Sequence, residues 1–262
     1  MRLTMFASDV YWVFWREIKR FLLQKARIMV TVVQPLVWLV LMGNMMSGLT
    51  QNPYAAQMLG TGNYLQFMTP GVMVMTVLFG GTFGGTSVIW DRRLGMLNKM
   101  LAAPIQRAAI PLGKLLAIMV QSWFQLLVIV GIAMLLGVKF ATGLPGVLFM
   151  ILLASLFGMV MGGISLALSA TLKSMEALFA IMNFLTMPLM FTSNAMFPTQ
   201  AMPSWLQRIA AVNPLSFAVT PMRVVATQGW AWDTIWISSL VLLVFASASI
   251  TLAISRFNRS IA

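Results

Sequence analysis

The side chains that could do chemistry are few, and their types narrow what the chain can be. There is no histidine and no cysteine, so imidazole proton shuttles, thiol nucleophiles, disulfides and the commonest transition-metal ligands are all absent. The five acidic residues are Asp9, Glu17, Asp91, Glu176 and Asp233. They are scattered, and no two sit at a spacing that suggests acid–base work. The phosphate-cradling pattern GxxxxGK[ST] is missing: Gly113-Lys114 runs on into Leu115 and has no upstream glycine at the required distance. The residues therefore point to no catalytic group, no metal site and no bound cofactor in this chain. Any ATP and magnesium would belong to a partner.

The remaining chemistry is recognition. Residues 91–114 read DRRLGMLNKMLAAPIQRAAIPLGK, the longest internal hydrophilic insert in an otherwise apolar chain. Asp91, Arg92, Arg93 and Lys99 are expected on one side of a short amphipathic helix, with Leu94, Leu97 and Leu101 at i, i+3 and i+7 on the other. With Gly95, Asn98, Met100 and Pro104, these residues form a candidate docking segment at 90–108. Its apolar ridge would seat in a groove on a soluble partner while the charges stay at the rim. The plainer alternative is a basic flank that only stops membrane transfer.

Those residues must be positioned by a membrane scaffold. Of 262 residues 60% are hydrophobic and 8% charged, against about 25% charged in ordinary globular domains. Six apolar stretches at 28–47, 66–89, 112–136, 145–171, 175–193 and 234–255 are long enough to cross a bilayer, which takes roughly 20 residues as a helix. Their apolar runs are continuous, not alternating, which predicts helices and not a barrel. The expected fold is an all-α polytopic membrane protein, one transmembrane domain over 1–262. The basic segment ahead of the first apolar run does not look like a cleavable leader.

The net charge of +12 invites a nucleic-acid reading. Its placement at the ends of the apolar runs instead fits anionic membrane lipids and the positive-inside bias. Of the 17 Lys and Arg residues, an inside N-terminus puts fourteen in the cytoplasm and leaves three, Lys139, Arg208 and Arg223, outside. Both termini are thus expected in the cytoplasm of a multi-pass protein of the cell's inner or plasma membrane. Residues 5–25 read as an interfacial helix, with Val10, Phe14, Ile18 and Phe21 sharing an apolar face with Tyr11, Trp15 and Leu22, and Arg16, Lys19 and Arg20 opposite, turned toward headgroups or solvent.

Between the last two spans, Pro198, Pro203, Pro214 and Pro221 break an apolar stretch that is then too short to cross in any one piece. Two short helices forming an outer re-entrant hairpin at 194–228 are expected, with Trp205, Trp230, Trp232 and Trp236 in an aromatic belt. Candidate pathway or gate residues are Gln34, Asn44, Asn183, Thr186, Thr192, Ser193, Asn194, Phe197 and Asn213, which could equally hydrogen-bond between helices. Gly80 with Gly84, Gly81 with Gly85 and Gly158 with Gly162 give GxxxG pairs, read first as helix packing within one subunit.

This layout resembles the ABC-2 type permeases, the membrane subunits of ATP-binding-cassette exporters, and most closely their drug-resistance and nodulation-type members. YLQFMTPGVMVM (64–75) is similar to the family's opening of the second span. RRLGMLNKMLAAPIQR (92–107) resembles its coupling segment, a Gly-Thr-x-Glu-x-Leu-Leu core followed by Pro and Arg, although Met96 and Asn98 replace the usual Thr and Glu. SNAMFPTQAMPSWLQRIAAVNPLSFAVTPMR (193–223) resembles the signature before the last span. The resemblance implies a half-transporter that pairs with a second permease, more readily as a homodimer than a heterodimer. Two copies of a soluble ABC ATPase would dock beneath it. It also implies export of a hydrophobic drug, lipid or lipid-linked saccharide along a path formed mainly by the first, second and fifth spans. Two other classes remain. An ion-coupled secondary carrier is one: the spans read as lacking the intramembrane charge of a proton-coupled carrier, sodium sites of carbonyls and hydroxyls stay open, and the discriminator, an internal repeat with paired broken helices, is not visible in the sequence. A lipid-acting membrane enzyme would need a convergent polar site, for which the available side chains are poor.

Overall fold

The computed structural model describes residues 2–46, 48, 59, 61 and 63–260. Among these the chain is almost entirely helical, with no strand. Helix α1 (Arg2–Leu23) is followed at an 82° bend by α2 (Lys25–Met46). Asn63 caps α3 (Tyr64–Thr82), its side chain accepting the Leu65 N–H at 2.9 Å. A 3₁₀ turn at Phe83–Gly85 then carries the chain into α4 (Thr86–Arg93). The chain continues through α5 (Met96–Ala102), α6 (Ala109–Leu135), α7 (Gly143–Thr171) and α8 (Met175–Phe191). Helices α9 (Ser204–Val212) and α10 (Pro214–Thr227) meet at 89°, and α11 (Trp232–Ser260) closes the described fold.

Four runs are long and apolar enough to cross a membrane: Tyr64–Arg93, Ala109–Leu135, Gly143–Thr171 and Trp232–Arg259. The two bent pairs, α1 with α2 and α9 with α10, raise that to six only if each counts as one span, and α8 is a shorter apolar helix of 17 residues. The chain is thus a multi-pass helical membrane protein. The Tyr64–Arg93 run, at 30 residues, rises about 45 Å, well beyond a hydrocarbon core of about 30 Å. The run is longer than a crossing needs, and its charged residues, Asp91, Arg92 and Arg93, all lie in α4.

Helix α7 is the centre of the bundle, packed by α3, α6, α10 and α11. Small residues make this possible. A Cβ on Gly81 would lie 2.8 Å from the Gly158 carbonyl oxygen, and one on Gly85 would meet the Ser165 backbone oxygen at 2.4 Å. The GxxxG face therefore packs α3 on α7 inside one subunit, by backbone contact in place of a hydrophobic driving force. The 3₁₀ break is re-satisfied across the same contact: Gly85 N–H donates to Ser165 Oγ at 3.0 Å, and that hydroxyl donates to the Thr82 carbonyl at 2.6 Å.

The two ends of the bundle differ. At one end Gln66 donates to the carbonyls of Lys139 and Ala226, and Ala141 N–H donates to Ala226 as well. These bonds gather the start of α3, the α6–α7 loop and the end of α10. The opposite end holds α1, α4, α5, the start of α6 and the end of α7, together with nearly all of the ionic contacts.

Candidate functional site

The docking segment is an elbow, not one helix. Leu94 ends α4, and Gly95, at φ +67°, turns the chain into α5. Few residues other than glycine adopt that left-handed backbone cheaply. Leu94 and Leu97 therefore do not share a helical ridge. Leu94 is 68% exposed, while Leu97 is 3% exposed and packs among Val88, Ile110, Leu115 and Phe257. Met100 and Leu101 are half-buried against the same cluster. The expected ridge of Leu94, Leu97 and Leu101 is thus corrected: α5 spends its apolar side on its own bundle. The surface it offers outward is Arg93, Leu94, Met96, Asn98 and Lys99, with Pro104 exposed beyond it and Gly95 half-buried at the bend.

The charges need the same correction. Asp91 is 3% exposed and cannot serve at a rim. It sits in a cluster formed by α1, α4 and α6. Lys114, only 1% exposed, lies between the two acids, 2.6 Å from Asp91 Oδ2 and 2.7 Å from Glu17 Oε1, with Ser87 Oγ at 3.1 Å. Arg16 bridges the same two carboxylates, and Arg20 stands 3.6 Å from Asp91 Oδ1. Burial by itself would raise the Glu17 carboxyl, but the charge and hydrogen bond of Lys114, then those of Arg16, outweigh it and hold the group at about 2. Arg92 is half-buried as well. It donates to the carbonyls of Ala170 and Leu172 at 2.7 and 2.8 Å, capping the end of α7.

Helix α1 turns Arg16 and Arg20 inward, not toward headgroups or solvent, while of its expected apolar face Phe21 is buried, Val10, Phe14 and Ile18 are half-buried and Tyr11, Trp15 and Leu22 are exposed. Arg16, Glu17 and Arg20 point into the bundle, and Tyr11, Trp12, Trp15, Leu22 and Leu23 are exposed. Lys19 alone of the expected basic face stays exposed. Close approach to α6 depends on Gly113, where a Cβ would lie 2.7 Å from that of Val13. The expectation that the spans lack buried charge also fails, because Lys114 enters α6 fully buried. The sequence does carry a signal for this: a lysine inside the apolar run PLGKLLAIMV needs a counter-ion.

At the other end the candidate pathway residues divide. Asn213 caps α10 through the Leu215 N–H at 2.8 Å and donates to Leu189 O and Thr192 Oγ1, both at 2.9 Å. Asn194 donates to Thr220 Oγ1 at 2.8 Å, Ser193 to the Met190 carbonyl at 2.8 Å, and Thr186 to the Asn183 carbonyl. Arg223, counted among the outer charges, sits within α10, where it donates to the carbonyls of Phe67, Asn194 and Ala195 with its guanidinium 3.8 Å over the Phe67 ring. Asn194, Ser193, Thr192 and Asn213 thus tie the α8–α10 connection together. Asn183 and Phe197 are exposed, Asn183 on the same helix as exposed Phe184 and Met187. The side chains of Gln34 and Asn44 lie outside the described residues.

The chain is thus a multi-pass helical bundle with a charged elbow at one end and a broken apolar helix pair at the other. Residues 8–227 match the ABC-2 type transporter family, and the chain belongs to it. It is 35% identical over 243 residues to the transport permease ycf38 of Cyanophora paradoxa, covering 89% of this chain and 79% of that one. It is 28% identical over 243 residues to the daunorubicin resistance ABC transporter permease protein DrrB1 of Streptomyces coeruleorubidus, covering 91% of this chain and 83% of that one. The chain is therefore an ABC transporter permease, a role that entails an ATPase subunit as partner.

Proposed function

We propose that the chain is the transmembrane half of an ATP-driven exporter, working as a homodimer above two soluble ATPase subunits that bind the ATP and magnesium. Both termini and the α4–α5 elbow face the cytoplasm, and the α9–α10 hairpin lies at the outer face. The observation that carries the reading is the elbow. Its outer surface presents Leu94 and Met96 beside Arg93 and Lys99, while its inner surface is fixed to the bundle through Leu97, Arg92 and Asp91. Force applied at Leu94 by a closing ATPase pair would reach α7 through Arg92, and α1 and α6 through Asp91. That is the connection a coupling element requires.

The cargo on this reading is a hydrophobic drug, a lipid or a lipid-linked saccharide. A relative named for daunorubicin resistance favours the first of these for testing. An ion-coupled carrier needs a free intramembrane acid, and in the buried cluster Glu17 and Asp91 are both already paired with Lys114 and Arg16. The test is reconstitution with the partner ATPase in vesicles. ATP-dependent movement of a drug or lipid, lost in a hydrolysis-deficient ATPase, is the expected result. Transport driven by an ion gradient without ATP would overturn the reading.

A further inference from the structure

A cavity of about 270 Å³ runs between α2, α3 and α6 and is capped by Met190 and Met196. It follows one face of α3 from Met68 to Phe83, about 22 Å along the helix. Its volume is near the lower end, about 300 Å³, of small-molecule sites. Among the described residues no Asp, Glu, Lys or Arg lines it.

Among the described residues one buried polar atom of its lining is left unpartnered. Thr76 donates to Val72 O and Ser122 to Ile118 O, both at 2.8 Å, so these hydroxyl protons are spent on their own helices. Gln125 is 5% exposed, lines the cavity, and its Oε1 has no hydrogen-bond partner among the described residues. A buried acceptor left unpaired is costly, and a donor that meets it recovers that cost. Beside it, Gly80 leaves room: an added Cβ would meet only Gln125 Oε1, at 3.8 Å.

We propose that this cavity is a binding site for an uncharged, elongated apolar molecule carrying one hydroxyl or amide N–H, which it donates to Gln125 Oε1. The site lies within one subunit. The lining accounts for each part of that chemistry: apolar walls favour the body, the lack of charged side chains disfavours an ion, and Gln125 selects the donor. As a cargo site this rests on the exporter reading, but binding does not require the ATPase.

The test uses the full-length chain in lipid nanodiscs and a matched pair of probes, 1-pyrenebutanol and its methyl ether, read by energy transfer from tryptophan, with Trp38 in the cavity wall. The alcohol is expected to bind about tenfold more tightly than the ether, the scale of one hydrogen bond to an otherwise unpaired buried group. Gln125→Leu should bring the alcohol down to the ether's affinity and leave the ether unchanged; Gln125→Met, closer in shape, serves if the leucine variant is unstable. Gly80→Leu, which fills the space in a helix-compatible way, should abolish binding of both at wild-type abundance. Competition with dioleoylglycerol separates the sources: displacement identifies a lipid hydroxyl, while its failure beside bound pyrenebutanol identifies an aromatic one. Equal affinities for the two probes, no binding of either, or full binding by the Gly80→Leu protein would overturn the site. A permease that binds as expected yet moves nothing with ATP would refute the exporter reading alone.

Discussion

Replacing Lys114 with methionine keeps most of the side-chain volume and removes the cation that two buried carboxylates share. Arg16 would then face Glu17 and Asp91 alone, with Arg20 at 3.6 Å from Asp91. Removing one partner of a buried ion pair costs about 3–5 kcal/mol. Against the upward push of burial, Lys114, ahead of Arg16, holds the Glu17 carboxyl below its ordinary range. The seat of α1 on α6 should therefore weaken by about 3 kcal/mol, a factor of about a hundred in the undocked population. The assay is maleimide labelling at Val13→Cys, a buried site 4% exposed in a chain that has no other cysteine. Labelling that proceeds through opening of the helix should speed up by about a hundredfold in the Lys114→Met background. An unchanged labelling rate at wild-type abundance would show that the cluster does not hold α1, and the argument from burial and pairing would fail.

Leu94 and Leu97 should part company: Leu94→Asp, on an exposed position, should keep wild-type abundance and lose ATPase association, whereas Leu97→Asp, at 3% exposure, should lower the amount of folded protein. Identical behaviour of the two by co-purification and membrane quantification would contradict the elbow geometry. Because the Glu17 carboxyl is depressed from 4.5 to about 2, its contribution is complete above 4.5 and is lost as pH falls through that interval. Labelling at Val13→Cys, corrected for the reagent's own pH dependence, should hence be flat from pH 5 to 8 and rise only in acid, and loosening toward pH 8 would refute the assignment. Asn213→Ala removes a helix cap and two further hydrogen bonds and should cost about 1–2 kcal/mol, seen as a lowered unfolding temperature that Asn213→Asp, retaining the cap, recovers in part. Single cysteines at Gln228 and Asn258, both exposed, should react with an impermeant maleimide from opposite faces of the membrane; reaction from the same face would break the proposed topology.

The bundle was readable because its signals are local. An apolar run of 20 or more residues can satisfy its backbone in lipid only as a helix, so α6, α7 and α11 follow from composition alone. The prolines of 194–228 also fix where α9 ends and α10 begins, with Asn213 and Pro214 in the cap and first-turn positions that suit them. The glycines of α3 were legible as a packing face for the same reason, since their spacing on one helix is a local property. Which helix they meet was not, because Gly81 and Gly158 are far apart in the chain.

Charge is where local reading failed, and the failure has one cause. A helical wheel assigns every arginine and glutamate to water, because it compares a residue only with its own helix. Arg16 and Glu17 sit on α1, but their partners Asp91 and Lys114 are 75 and 97 residues away, so nothing within α1 shows that its ionic side is the inner one. The lysine in the apolar start of α6 was the available clue, since a buried cation in so apolar a chain must recruit a carboxylate, and only five exist. Asp91 is the acid attached to the docking elbow, and it is the one that Lys114 takes together with Glu17. In the proposed function the elbow's outer face takes the partner, while the ionic contacts that bury Asp91 fasten the elbow to α1 through Arg16 and to α6 through Lys114. On that reading docking surface and lever are two sides of one stretch, residues 91–99, with Gly95 as the bend between them.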